Sequence, residues 1–140
     1  MHIEARGLIS DVTQRPDNDR ISYFTALCPL QSGTILAGFQ VGLFKHAPDN
    51  TVGLCRSTDG GVTWTAIPVR FETRLGGTPG SLAGAEMVEV APGHLLLFAT
   101  WFDRSDREHP QRADADRRQR EARAGLGRLV RFHPSRRCAR

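Results

Sequence analysis

The chain has 140 residues and a formal net charge of +4, with 39% hydrophobic and 24% charged residues, which fits one folded domain and excludes disorder throughout. No apolar run approaches the roughly 18–20 residues of a membrane span, and the first residues lack the apolar stretch of a signal peptide. Three cysteines without a C-x-x-C pair predict neither a disulfide framework nor a zinc ribbon. We therefore expect a cytoplasmic protein with reduced thiols, no metal site, no cofactor and no membrane contact.

The positive charge is confined to the last quarter of the chain. Residues 1–103 carry seven Lys/Arg and ten Asp/Glu, a formal charge of −3, whereas residues 104–140 carry twelve Arg and five Asp/Glu, a formal charge of +7. The chain thus divides into a polar lead-in over residues 1–20, a body over residues 21–103 and an arginine-rich tail over residues 104–140. The acidic body argues against nucleic acid as a partner.

The body is predicted to be all-β. Runs of apolar, aromatic and β-branched residues, bounded by Gly, Pro and Asn, predict six strands and no helix in this part of the chain. The strands span Ile21–Leu30, Thr34–Val41, Val52–Ser57, Thr63–Val69, Ala85–Val90 and His94–Phe102. Similar hairpins turn at Gly33 and Gly93, and this recurrence favours repeated four-stranded sheets like those of a β-propeller.

The tail has a different composition from the body. Residues 108–124 contain no large apolar residue, and their i,i+4 charge pairs and Pro110 favour a short polar helix or disorder. Leu129–Phe132 is a candidate for one short strand. Because the change to arginine-rich sequence comes where further strands are due, we expect the tail to be out of frame with the ancestral gene, mobile and dispensable.

One motif carries specific information. Residues 57–64 read S-T-D-G-G-V-T-W and fit the pattern S-x-D-x-G-x-T-W at every fixed position. Ser57 and Asp59 can accept hydrogen bonds from turn N–H groups, Gly61 permits positive φ, Thr63 starts the next strand, and Trp64 can cover the turn. All five are therefore expected to be structural.

This motif resembles the Asp-box, or BNR repeat, of sialidases and related six-bladed β-propellers, where it joins the third and fourth strands of a blade. The resemblance covers roughly residues 21–103 and implies about one and a half antiparallel blades of a partial propeller. It further implies the N-terminal fragment of a neuraminidase-like glycoside hydrolase, an exo-α-sialidase when intact, with a glycan or other small carbohydrate as ligand. The fragment is expected to be inactive alone, since the family's Tyr nucleophile and most of its arginines come from later blades.

Two candidate catalytic residues follow from the resemblance. The family places an arginine just before the first strand of its first blade and an acid/base Asp in the loop between the second and third strands. Arg20 is the nearest match to the first position, without the aromatic residue and the proline that flank the family's arginine, and Asp49 lies in the second loop. Bidentate pairing with a carboxylate is the chemistry that requires arginine there. From the residues alone, Arg20 can also be a solvated charge, and Asp49 with Asn50 can be a turn pair.

Two other functions remain open from the sequence. A non-catalytic propeller module could be completed by another chain, or by self-association, through its open sheet edges. Small microbial ribonucleases also contain Asp-boxes, but no spacing of Glu, Arg and His in this chain points to phosphate chemistry.

Overall fold

The computed structural model describes residues 7–15, 21–106 and 130–132, the last three as backbone only. A short 3₁₀ helix, Val12–Gln14, precedes seven strands, and the described residues contain no α-helix, which confirms the all-β prediction. The strands are β1 (Ile21–Pro29), β2 (Ile35–Gly42), β3 (Thr51–Ser57), β4 (Thr65–Ile67), β5 (Gly80–Ala91), β6 (His94–Asp103) and β7 (Val130–Phe132).

Two strands differ from their predicted bounds by more than one residue at an end. The fourth is shorter than the predicted Thr63–Val69, because Thr63 belongs to the preceding turn and Pro68 cannot donate a backbone hydrogen bond. The fifth begins at Gly80 rather than Ala85, and this added segment pairs with the end of β6.

The tail contributes one strand. Val130–Phe132 pairs antiparallel with Leu95–Leu97 of β6, close to the predicted Leu129–Phe132 strand. Removal of the whole tail would therefore leave Leu95–Leu97 of β6 without this partner strand. The helix predicted over residues 108–124 lies outside the described residues.

The strands form two antiparallel sheets. The first sheet has the order β1-β2-β3-β4, a meander in which each strand pairs with the next along the chain. The second sheet has the order β5-β6-β7. In the first sheet, a meander places the start of β1 and the loop between β2 and β3 at one end, and the β1–β2 and β3–β4 turns at the other.

The main core lies between the two sheets. Val52 and Leu54 of β3 pack with Leu82 and Ala85 of β5 and with Leu97 of β6, all of them buried. A second buried group, Cys28, Leu36 and Leu95, continues this core toward the turns. The opposite face of the first sheet carries its own buried cluster.

That cluster consists of Ala37, Phe39, Val41 and Cys55, against which Ile9 and Trp64 pack. Alternation of side chains along β2 and β3 sends these residues to the face away from the second sheet. The first sheet is therefore apolar on both faces, as expected for a sheet layered between neighbours.

Hydrogen bonds at both ends tie the sheets together. At one end, the Leu82 N–H donates to the Asn50 carbonyl at 2.8 Å. At the other, the Glu89 carboxylate accepts the N–H groups of Gln31, at 2.6 Å, and Gly93, at 2.8 Å. The two bonds that Glu89 accepts lower the pKa of its carboxyl group and link the β1–β2 turn to the β5–β6 turn.

The two sheets approach each other closely at Gly38. A Cβ atom at this position would lie 2.8 Å from both the Cβ and the carbonyl oxygen of Ala85. The carbonyl oxygen is backbone and cannot rotate away, so the absence of a side chain at Gly38 allows β5 to lie flat on β2.

Replacement of Gly38 by Val is expected to force the sheets apart and lower the free energy of unfolding by about 1–3 kcal/mol, the usual range for overpacking. Urea unfolding followed by tryptophan fluorescence measures the change. Gly7→Val is the matched control, because a Cβ at Gly7 would contact nothing within 4 Å. Equal stability of the two variants would contradict close packing at Gly38.

Candidate functional site

The S-x-D-x-G-x-T-W motif of residues 57–64, which we label the Asp-box after the motif it resembles, forms the turn between β3 and β4. Ser57 is buried at the end of β3, and its Oγ accepts the Gly61 N–H at 2.8 Å while donating to the Asp59 carboxylate at 2.7 Å. A single hydroxyl thus holds both the backbone of the turn and the acidic side chain within it.

Asp59 holds the second half of the turn. Its carboxylate accepts the Thr63 N–H at 2.9 and 3.0 Å and the Thr63 hydroxyl at 2.5 Å. The Thr63 hydroxyl, the Thr63 N–H and then the Ser57 hydroxyl lower the pKa of Asp59 from its ordinary 3.8 to about 2. Asp59 is therefore ionised at neutral pH and fully engaged within the hairpin.

Two glycines with positive φ and the indole of Trp64 complete the turn. Gly60 and Gly61 have φ of 72° and 94°, which glycine adopts without steric cost. Trp64 donates from Nε1 to the Gly61 carbonyl at 3.0 Å, and its ring packs on the apolar cluster of the first sheet. Each Asp-box side chain thus contacts the hairpin or the sheet behind it, and this geometry supports a structural role.

The opposite end of the first sheet carries an open pocket of about 560 Å³. We call it the β3 pocket, because it follows the outer edge of that strand. Its lining combines charged, hydroxyl and aromatic side chains from separate parts of the chain, including Arg15, Phe39, Asp49, Thr51, Arg70 and Phe71.

The pocket exists because β4 is short. β4 pairs with β3 only over Leu54–Arg56, and the backbone then turns away at Pro68, where the Val69 N–H donates to the Ile67 carbonyl at 2.8 Å. The segment after it forms the far wall, which Trp101 of β6 holds by donating from Nε1 to the Thr73 carbonyl at 2.7 Å. The first residues of β3, Thr51–Gly53, therefore have no partner in β4.

The first described segment closes another side of the pocket. Arg15 donates to the hydroxyls of Ser10, at 3.1 Å, and Ser22, at 2.8 Å, and its guanidinium lies 5.1 Å from the centre of the Phe39 ring. Cys55 lies at the floor as a buried free thiol. Burial raises the pKa of this thiol more than the charge of Arg15 and the Ser10 hydroxyl lower it, so the neutral form is favoured.

The sequence-derived candidates have different outcomes. Asp49 is exposed in the loop between β2 and β3 and lines the β3 pocket, together with Arg15 and Arg70. Arg20 lies outside the described residues. Sequence reasoning missed Arg15, Arg70 and the two phenylalanines, since they come from three separate segments and share no local motif.

Comparison with protein-family models, curated proteins and solved structures gives no match. Among the described residues, no helix is long and apolar enough to cross a membrane. The same residues hold no group of three or more His, Cys, Asp or Glu side chains suited to a metal ion.

The low pKa of Asp59 predicts a pH-dependent stability. A carboxylate with a lower pKa in the folded chain stabilises the fold above its ordinary pKa and loses this contribution as the pH falls to the folded value. The stability of the native protein should therefore fall toward that of Asp59→Asn between about pH 4 and about pH 2. Thermal unfolding of both proteins across this range measures the difference.

At neutral pH, Asp59→Asn should melt at a lower temperature and keep any ligand binding in its folded fraction. A constant difference in melting temperature from neutral pH down to pH 2 would contradict the pKa assignment. Normal stability with lost binding would instead make the Asp-box a functional site.

Proposed function

We propose that this chain is the carbohydrate-binding N-terminal part of a sialidase-like β-propeller glycosidase and has no hydrolytic activity by itself. One observation carries the proposal: a four-stranded meander whose third and fourth strands are joined by an Asp-box with its full set of hydrogen bonds. This combination of sheet order and turn corresponds to a single blade.

The second sheet supports the propeller interpretation. Its first strand, β5, lies across the first sheet, with the shared core and the Gly38–Ala85 approach between them. Successive blades of a propeller pack face to face in this manner. The first sheet is then blade one, and β5, β6 and β7 belong to the next.

The chemistry of the β3 pocket favours a sugar over other small ligands. Sugars present several hydroxyl groups together with patches of C–H, so they bind where charged and hydroxyl side chains adjoin aromatic rings. Asp49, Arg70 and Thr51 supply polar groups, and the half-buried Phe71 supplies apolar surface.

The same pocket has too few groups for hydrolysis. Glycosidases use a pair of carboxyl groups or, in sialidases, a tyrosine nucleophile with an acid/base carboxyl group. Among the described residues that line the pocket, Asp49 is the single carboxylate, and none is Tyr, Glu or His. A ribonuclease would need Glu, Arg and His side chains together, so the lack of Glu and His among these described residues also disfavours the ribonuclease alternative.

We expect the isolated chain to release no product from the fluorogenic substrate 4-methylumbelliferyl N-acetylneuraminide and to leave RNA intact. It should bind sugars, and Asp49→Asn should weaken that binding, since an amide accepts sugar hydroxyls less strongly than a carboxylate. Glu86→Gln is the matched control, because Glu86 is an exposed carboxylate on the second sheet. Measurable sialoside hydrolysis or RNA cleavage would contradict the proposal.

A second candidate function, an interaction module completed by another chain, is favoured by one exposed face. Val88 and Phe98 are 44% and 41% exposed on the second sheet, on the side away from the first, and Val90, at 58%, is the unpaired residue of a bulge nearby. Val88 and Phe98 lie on this face because their neighbours Met87 and Leu97 pack in the core, and successive side chains of a strand point to opposite faces. In a closed propeller this face would meet the next blade.

We expect the isolated chain to self-associate at micromolar concentration through this face. Val88→Lys should reduce association, whereas Val62→Lys should not, because Val62 is exposed in the Asp-box turn. Sedimentation velocity over a hundredfold concentration range distinguishes the two variants. A monomer at all concentrations would rule out this interaction function.

A further inference from the structure

Phe24 has a backbone conformation that an aromatic residue rarely adopts. Its φ is 51°, and it is the single non-glycine residue with positive φ among the described residues. For a bulky L-residue this region is sterically unfavourable, so such residues persist where the surrounding structure or a function requires them. Burial does not compensate for the strain here, because 53% of the Phe24 side chain is exposed.

The strain is not a requirement of the strand. β1 has a bulge between the pairs Tyr23–Gln40 and Ala26–Gly38, so that Phe24 and Thr25 lie opposite Phe39 alone. A bulge residue with left-handed φ is commonly glycine, which adopts it freely. A glycine at position 24 would therefore give the same bulge without the steric cost.

The ring of Phe24 makes contacts that glycine could not make. Successive side chains of a regular strand point to opposite faces, and the left-handed residue interrupts this alternation. The Tyr23 and Phe24 rings lie 6.2 Å apart between centres, tilted by 43°. Lys45 Nζ lies 5.4 Å from the centre of the Phe24 ring. We call these three side chains the ring platform.

The ring platform lies at the end of the sheet that carries Asp49. Ile21, at the start of β1, pairs with Gly42 at the end of β2. Lys45 belongs to the same β2–β3 loop as Asp49, and both are exposed. The Asp-box turn is at the other end of the sheet.

We propose that the ring platform binds the apolar face of a pyranose ring. The C–H groups of the sugar would stack on the exposed Phe24 ring, while the Lys45 ammonium and the Tyr23 hydroxyl would bind neighbouring sugar hydroxyls. The inference rests on the proposed carbohydrate-binding function and assigns part of it to residues outside the β3 pocket.

Charge favours a sugar over nucleic acid at this surface. Stacking proteins that bind single strands combine aromatic rings with a positively charged groove. Here the ring platform contains the only lysine of the chain, and residues 1–103 are acidic overall. One ammonium group beside an exposed ring and a half-buried ring suits a single polar ligand with an apolar face.

The test compares three proteins by saturation-transfer NMR with methyl β-D-galactopyranoside as the probe. Phe24→Gly should weaken binding by about two- to tenfold, the range for loss of one aromatic contact. Phe98→Ala is the matched control, because it removes a similarly exposed phenylalanine from the second sheet and should leave binding unchanged. Phe24→Gly should also melt at the same or a higher temperature than the native chain, since it removes the backbone strain.

A second variant keeps the test independent of the backbone. Lys45→Gln leaves the bulge intact and should also weaken transfer to the sugar. Unchanged transfer in both Phe24→Gly and Lys45→Gln would overturn the ring platform, as would a fall in melting temperature that accompanies the lost binding in Phe24→Gly.

Other outcomes separate the two proposals. Transfer that survives Phe24→Gly but is lost in Asp49→Asn would overturn the ring platform and leave the carbohydrate-binding function in place. No transfer to any sugar from the native chain would overturn both. Transfer to oligo-dT or to a proline-rich peptide but not to the galactoside would overturn the choice of ligand.

Discussion

The contact between β5 and the first sheet is the constraint on which the rest of the structure depends. An antiparallel sheet with apolar residues on both faces is stable only when both are covered, and β5 covers one of them. Val52 and Leu54 would otherwise face water, as would Leu82 and Ala85 of the second sheet. The close approach at Gly38 brings the two backbones near enough for these short side chains to meet.

The same contact fixes the loop that carries the functional candidates. Leu82 of β5 binds the Asn50 carbonyl, and the side-chain amides of Gln40 and Asn50 both donate to the Lys45 carbonyl, at 2.9 and 2.8 Å. These two buried amides therefore hold the loop by its backbone, so Lys45 and Asp49 project from a fixed base. The Asp-box stabilises one end of the sheet by side chains that hydrogen-bond within the hairpin, whereas Lys45 and Asp49 at the opposite end are exposed above buried amides.

Sequence reasoning succeeded where the physical cause was local. Alternation and turn residues located six strands, and the S-x-D-x-G-x-T-W pattern predicted the contacts of Ser57 and Asp59, since all partners lie within four residues. It did not predict the β3 pocket, because that depends on Pro68 ending a strand early and on Trp101 holding Thr73 from 28 residues away. It also missed the strain at Phe24, since aromatic residues are common in strands and a bulge has no signature in the chain. The contacts of these residues depend on where each lies in the sheet, and residue type alone does not predict them.

The bulge at Phe24 also changes what the edge of the first sheet can do. β1 is an edge strand, and an edge with a regular row of unpaired N–H and C=O groups invites pairing with another chain. A bulge breaks that row, and Pro29 at the end of β1 removes a donor, so strand pairing at this edge is disfavoured. The exposed side chains of β1, and not its backbone N–H and C=O groups, are then the parts of this edge that can contact a ligand. The strained Phe24 at the bulge has both effects at one position, because the bulge interrupts strand pairing and the exposed ring faces solvent. Under the proposed interaction function, association between chains would instead use the apolar face of the second sheet, where Val88 and Phe98 lie on regularly paired strands.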